Sequence, residues 1–211
     1  MDSKLHTIHD HIIDGKIGAI EADVQAALDA GVLPEAILNE SMVTAMDEVG
    51  ARFEDGEFFV PEMLIAAKTM QTGLAILKPL LIEGGVELSG CIVIGTVQGD
   101  LHDIGKNLVA MMLEGGGFQV IDLGTNISPE AFLEAIREHS PNILGLSALL
   151  TTTMEKMRET ITTIEATGIR DQVKILVGGA PVTEAFAADI GADGYAPDAS
   201  KAVSLAKSLL A

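Results

Sequence analysis

"CIVIGTVQGDLHDIGKNLVAMMLEG", residues 91–115, changes period in its middle. Cys91–Val97 is an apolar run of strand length, and Ile104–Gly115 carries apolar residues at helical spacing. A short strand that is apolar on both sides belongs in a parallel sheet covered on both faces. Between strand and helix lies Gln98-Gly99-Asp100-Leu101-His102-Asp103, a histidine between two aspartates, which packing does not require. Gly105 follows three residues after the histidine.

Downstream, the same alternation repeats. The apolar runs "FQVIDLG" (118–124), "NILGLSA" (142–148), "VKILVGG" (173–179) and "DGYA" (193–196) are separated by helical segments. Ser128-Pro129-Glu130 is a helix start, with Ser128 as the cap and Pro129 in the first turn. Five strands alternating with five helices predict a flavodoxin-like (Rossmann-like), doubly wound five-stranded parallel sheet over 89–211. Upstream the period is helical only. Segments 5–14, 19–31, 33–56 and 59–85, punctuated by Gly31, Pro34, Gly56, Pro61 and the Gly84-Gly85 pair, predict a four-helix cap bundle over 1–88. Met42, Met46, Met63 and Met70 on these helices are read as core. The glycine-rich segment 82–90 lies between the two patterns and is the expected hinge.

Composition narrows the function. A net charge of −18, with 31 acidic against 13 basic residues, opposes nucleic-acid binding. No run reaches the roughly 18 apolar residues of a membrane span, and no signal-peptide pattern opens the chain. A cytoplasmic protein without a membrane partner is expected. The single cysteine, Cys91, lies inside an apolar run and is read as an inert buried thiol.

In a sheet of order 2-1-3-4-5, ligands bind beyond the carboxyl ends of the strands, at the switch point between strands 1 and 3. Strand 1 runs into "QGDLHDIG", strand 3 ends in "GLSALLTTT", and strand 4 ends in "VGGAP". A metal-ligating imidazole normally gives its other N–H to a carboxylate. Asp100 is placed to supply that carboxylate to His102, with Ser147 extending the relay to solvent. One neutral ligand does not hold a bare ion, so the metal is expected inside a cofactor. A side chain at Gly105 would fill the space beside the histidine.

"DLHDIG" (100–105) matches the Asp-x-His-x-x-Gly motif of cobalamin-binding domains, and "SAL" (147–149) and "GG" (178–179) match its two later elements. The chain resembles the corrinoid methyl-carrier proteins of methyltransferase systems and the cobalamin module of methionine synthase. "ARFEDGEFFVPEMLIAA" (51–67) is similar to that family's cap-helix motif, and "GADGYAPDAS" (191–200) to its last strand, loop and helix. The resemblance implies a bound cobalamin or related cobamide, base-off, with His102 as the lower ligand of cobalt and Asp100 and Ser147 completing a triad. It implies contacts from Gly99, Asp103, Ile104 and Leu149. Gly105, Gly178 and Gly179 would line a slot for the displaced nucleotide tail, with Thr151 and the backbone near Ala199 as polar contacts. The helical cap would shield the methyl group on cobalt and swing aside for transfer.

The implied function is that of a methyl carrier, catalytic only as one component of a system. A substrate-specific methyltransferase would load the methyl group, an acceptor methyltransferase would pass it to a folate or thiol, and a reductive activase would be a third partner. Carriers for methanol, methylamines, aryl methyl ethers and betaines look alike, because selectivity lies in the partner enzyme. A cobalamin-binding sensor or regulatory module is the alternative; it should add a basic output element. A cobalamin-dependent mutase needs a substrate barrel, which does not fit beside these two domains. A phosphoreceiver needs an aspartate where strand 3 ends in Ser147. Finally, "HTIHDH" (6–11) groups three histidines; without further ligands it reads as part of a solvated first helix.

Overall fold

The structure is a computed structural model and describes residues 3–84 and 88–210. The described residues fall into two compact units, one running to Ser89 and including Glu114–Gly117, the other formed by Gly90–Leu113 and the chain from Phe118. Residues 85–87 of the expected hinge lie outside the described residues. Among the described residues, no helix is long and apolar enough to cross a membrane.

The first unit is all helix: α1 (Ser3–Ile13), α2 (Ile17–Asp29), α3 (Pro34–Ile37), α4 (Thr44–Glu54) and α5 (Val60–Glu83). Each long helix has one apolar face, and Ile8, Ile12, Ile20, Val24, Met42, Met63, Met70 and Leu77 are buried in the interior of the unit. All four methionines read as core are buried there. The segment 33–56, expected as one helix, is interrupted by a π-helical stretch, Leu38–Val43, between α3 and α4. Buried Ser41 donates its hydroxyl to the Ile37 carbonyl within it, at 2.7 Å. At the start of α5, Glu62 reaches back to accept the Phe59 N–H (3.0 Å), which supplies one missing helix-end partner.

The second unit is the expected parallel sheet. Its strands are β1 (Cys91–Thr96), β2 (Gln119–Asp122), β3 (Ile143–Ser147), β4 (Lys174–Gly178) and β5 (Gly194–Ala196), in the order β2-β1-β3-β4-β5. Its helices are α6 (Ile104–Gly115), α7 (Pro129–His139), α8 (Glu155–Ala166), α9 (Glu184–Asp189) and α10 (Ala199–Leu210). Ser128 caps α7 as expected, its hydroxyl accepting the Ala131 N–H at 3.2 Å. Val93, Leu144, Leu146, Ile175 and Val177 pack beneath Phe132, Ile136, Ile161 and Ile164, so aliphatic side chains from three adjacent strands bury one continuous core. Cys91 opens β1, and burial pushes its thiol up from the ordinary value, as suits an unreactive group.

Register is what builds a site here. Thr96, Ser147, Gly178 and Ala196 pair side by side across β1, β3, β4 and β5. Four strands therefore end in one row, and the loops that follow them leave from the same edge of the sheet.

Candidate functional site

The loop between β1 and α6 is held by its neighbours before it holds anything itself. Val97 N–H donates to the Ser147 carbonyl (3.0 Å), and Ile127 N–H donates to the Thr96 carbonyl (3.0 Å). The buried Thr96 hydroxyl donates to the His102 carbonyl at 2.9 Å. Asn126, in the left-handed region at φ 58°, clamps the loop twice. Its N–H donates to the Asp100 carbonyl (3.0 Å), and its side-chain oxygen accepts the Gly99 N–H (2.8 Å). At the start of α6, buried Lys106 pairs with Asp122 of β2 and donates to Asn107 (2.7 Å).

Asp100 sits at the centre and is fully buried. One carboxylate oxygen accepts the His102 ring Nδ1 at 2.6 Å and the His102 backbone N–H at 3.1 Å. The other accepts the N–H groups of Leu149 (2.8 Å) and Leu150 (3.2 Å) and the Thr153 hydroxyl (2.7 Å). Burial alone would raise the carboxyl's pKa, but the hydrogen bonds from Thr153, His102 and Leu149 outweigh it and hold it well below the usual carboxylate range. Asp100 is therefore an anion at neutral pH and can only accept.

That fixes the imidazole. Since Asp100 accepts at Nδ1, the proton of a neutral His102 ring lies there, and the lone pair is left on Nε2. The ring is half exposed, and Nε2 has no protein partner among the described residues. Large apolar side chains surround it in the open: Leu101 (71% exposed), Ile104 (82%), Leu149 (43%) and Leu150 (41%). A cluster of this kind at the mouth of a sheet marks a surface that a ligand covers. Chemically, the arrangement offers one oriented imidazole nitrogen, as a metal ligand or a base, in an apolar setting.

The expected site residues divide by position. Gly99, Asp100, His102, Asp103, Ile104 and Gly105 follow β1; Asp103 accepts from the Asn107 side chain (3.2 Å) as α6 begins. A Cβ built on Gly105 meets nothing within 4 Å, so this glycine answers no packing need of the chain. Gly178 ends β4 beside Ser147. Gly179 was expected to leave room for a ligand, but a Cβ there would lie 1.9 Å from the Ala148 carbonyl oxygen, at φ +123°. The close approach of two backbones requires a glycine at that position. Ala199 is buried and opens α10 beyond β5.

One expectation about the relay is corrected. Ser147 makes no side-chain hydrogen bond among the described residues; it stands level with Thr96 in the strand row, and its backbone is what meets Val97. Thr153 supplies the hydroxyl on Asp100 instead, because the chain turns through 148–154 before α8 and brings the last of three threonines back to the carboxylate. Thr151, expected beside the cofactor's nucleotide tail rather than in the relay, is exposed. Sequence reasoning missed Thr96, Asn126 and Thr153; the run "TTT" was the only visible signal.

Two family models match the chain, each described as a B12 binding domain, over residues 90–204 and 5–78. This chain belongs to the B12-binding family. It is 41% identical over 210 residues to "Dimethylamine corrinoid protein 3" of Methanosarcina acetivorans, covering 100% of this chain and 98% of that protein. It is 44% identical over 209 residues to the dimethylamine corrinoid protein of Methanosarcina barkeri, covering 98% and 97%. A solved cobalamin-binding protein from Desulfitobacterium hafniense is similar at a TM-score of 0.80 and 32% identity, covering 97% of this chain and 98% of that one. The methanol:cobalamin methyltransferase complex MtaBC from Methanosarcina barkeri is similar at a TM-score of 0.88 and 28% identity, covering 100% of this chain and 80% of that one. In this B12-binding protein the oriented imidazole and its apolar surround lie in the 90–204 match, and the helical unit carries the other.

Proposed function

We propose that the protein carries a methyl group on the cobalt of a bound cobamide, with His102 Nε2 as the lower ligand. The observation that carries this reading is the Asp100–His102 pair, whose 2.6 Å hydrogen bond fixes Nδ1 as the protonated nitrogen and leaves Nε2 bare. The residues present fit the group. The exposed Leu101, Ile104, Leu149 and Leu150 suit the face of a large apolar macrocycle, and the open space at Gly105 leaves its approach clear. Bound cobamide supplies the transfer chemistry itself, since cobalt takes and releases the methyl group.

The chain's own residues orient and tune. Asp100 holds the imidazole in one tautomer and orients it, leaving Nε2 as the donor atom. Thr153 and the Leu149 and Leu150 N–H groups hold Asp100 in turn. Similarity to dimethylamine corrinoid proteins over nearly the whole chain supports the carrier role, and the donor is set by the partner enzyme. The donor would be held by a substrate-specific methyltransferase, and a second enzyme would pass the group to a folate or thiol. A reductive activase completes the set of partners.

The test is spectroscopic. Protein reconstituted with hydroxocobalamin and reduced to Co(II) should show electron paramagnetic resonance coupling to one protein nitrogen, changed by 15N-histidine labelling and lost in His102→Ala. Coupling to the cobamide's own base nitrogen would overturn the assignment.

A further inference from the structure

The cluster "HTIHDH" is not absorbed by the corrinoid function. On α1, His6, His9 and Asp10 are spaced i, i+3, i+4 and share one face. Each carboxylate oxygen of Asp10 faces one imidazole: His6 Nε2 at 3.3 Å and His9 Nδ1 at 3.2 Å. Four-coordinate zinc with bonds of about 2.0–2.1 Å places its ligand atoms roughly 3.3–3.4 Å apart. The two spacings match that edge length, but they involve different Asp10 oxygens, so a single coordinating oxygen has to turn to face both imidazoles. One donor atom from each residue lies within 4.8 Å of the others, and His6 and Asp10 are exposed enough to close the remaining distance. The two histidine rings are nearly parallel, at 9°, with centroids 6.3 Å apart.

A carboxylate stands behind the largely buried histidine. His9 is only 15% exposed, and its other nitrogen, Nε2, lies 3.5 Å from Glu48 of α4. Glu48 is itself paired with Arg52 one turn on. A metal-bound imidazole typically gives its second N–H to a carboxylate, and Glu48 stands at ion-pair distance on the far side of His9 to receive it. The third histidine is used differently: His11 Nδ1 bonds Asp23 of α2 at 2.7 Å and ties two helices together.

We propose that His6, His9 and Asp10 form a second metal site, separate from the corrinoid centre, for a divalent cation of the zinc type. Two imidazoles and one carboxylate select a borderline transition ion over magnesium or calcium, which take oxygen ligands. Glu48 is a positioning residue that receives the His9 Nε2 proton when Nδ1 turns from Asp10 to the ion. Three protein ligands on an exposed face leave the fourth position to water, so the ion exchanges with chelators in solution.

The test uses the full-length chain, purified without a polyhistidine tag and without cobamide. Zn2+ is titrated against a chromogenic chelator, and Co2+ replaces it for visible spectroscopy. One Zn2+ per chain should bind, with Co2+ giving four-coordinate absorption bands. Affinity should fall at least tenfold in His6→Ala and Asp10→Asn, and about 10–100-fold in Glu48→Gln. His139→Ala, on α7, should bind as the parent does. His6 is exposed, so its variant keeps the helix packing. Absence of stoichiometric Zn2+ binding, or binding that survives His6→Ala and Asp10→Asn unchanged, would overturn the site.

Discussion

Replacing Asp100 by asparagine tests the relay at the level of single protons. The carboxylate accepts on both sides: the His102 backbone N–H and ring on one oxygen, Leu149, Leu150 and Thr153 on the other. An amide has one accepting end and one donating end. The Thr153 hydroxyl can rotate and the imidazole can change tautomer, but backbone N–H groups cannot adapt. If the amide NH2 faces the β3 loop, it strands two backbone N–H groups, those of Leu149 and Leu150. If it faces His102, it strands one. The second orientation therefore wins by one N–H left without an acceptor, about 1–3 kcal/mol, or roughly 10–100-fold. It also makes His102 accept at Nδ1, which moves the ring proton to Nε2. The ligand nitrogen is thus blocked without being removed. Nitrogen NMR of the cobamide-free variant should show the Nε2–H tautomer where the parent shows Nδ1–H. Co(II) spectra of the loaded variant should lose most of the histidine coupling while cobamide stays bound. An Nδ1–H tautomer in Asp100→Asn would refute the reasoning, whatever its activity.

Thr153→Val removes one charge-assisted hydrogen bond from a buried anion and should cost about 1.5–3 kcal/mol in urea unfolding. Thr153→Ser should recover most of that stability, and a silent Thr153→Val would return the role to Ser147. The two glycines should separate packing from ligand binding. Gly179→Ala drives a Cβ to 1.9 Å from the Ala148 oxygen at φ +123° and should destabilise by about 2–6 kcal/mol through overlap and strain. Gly105→Ala meets open space and should leave stability unchanged or raise it by up to about 1 kcal/mol. Gly105→Leu should nevertheless weaken cobamide binding in equilibrium dialysis; equal affinity to the parent would remove Gly105 from the site.

The sheet was legible because its signal is local and repeated. Each strand is an apolar run bounded by turn residues, and alternation with helices restricts the order to a few choices. His102 and Asp100 were legible because two polar residues at a strand's end have no packing excuse. Thr153 was not. The alternation of a strand stops at Ser147, and which of Thr151, Thr152 and Thr153 turns back to the carboxylate depends on the turn geometry of 148–154. Asn126 was hidden for a similar reason: its role rests on a positive φ and two bonds to a loop 26–27 residues away. The π-helical stretch at Leu38–Val43 leaves the apolar spacing on either side helical, so periodicity passes over it.

Asp100 joins segments that lie 49 to 53 residues apart in the chain, since its donors come from both its own loop and the turn after β3. These contacts require β1 and β3 to be brought together, a loop closure of the same sequence separation. Until then nothing dictates which nitrogen of His102 carries the proton. A partly folded or newly made chain therefore displays the whole "DLHDIG" motif without a competent ligand. On the proposed carrier reading, cofactor capture through His102 would wait on completion of the sheet, and a chain misfolded in residues 148–153 would fail to load even with its histidine intact.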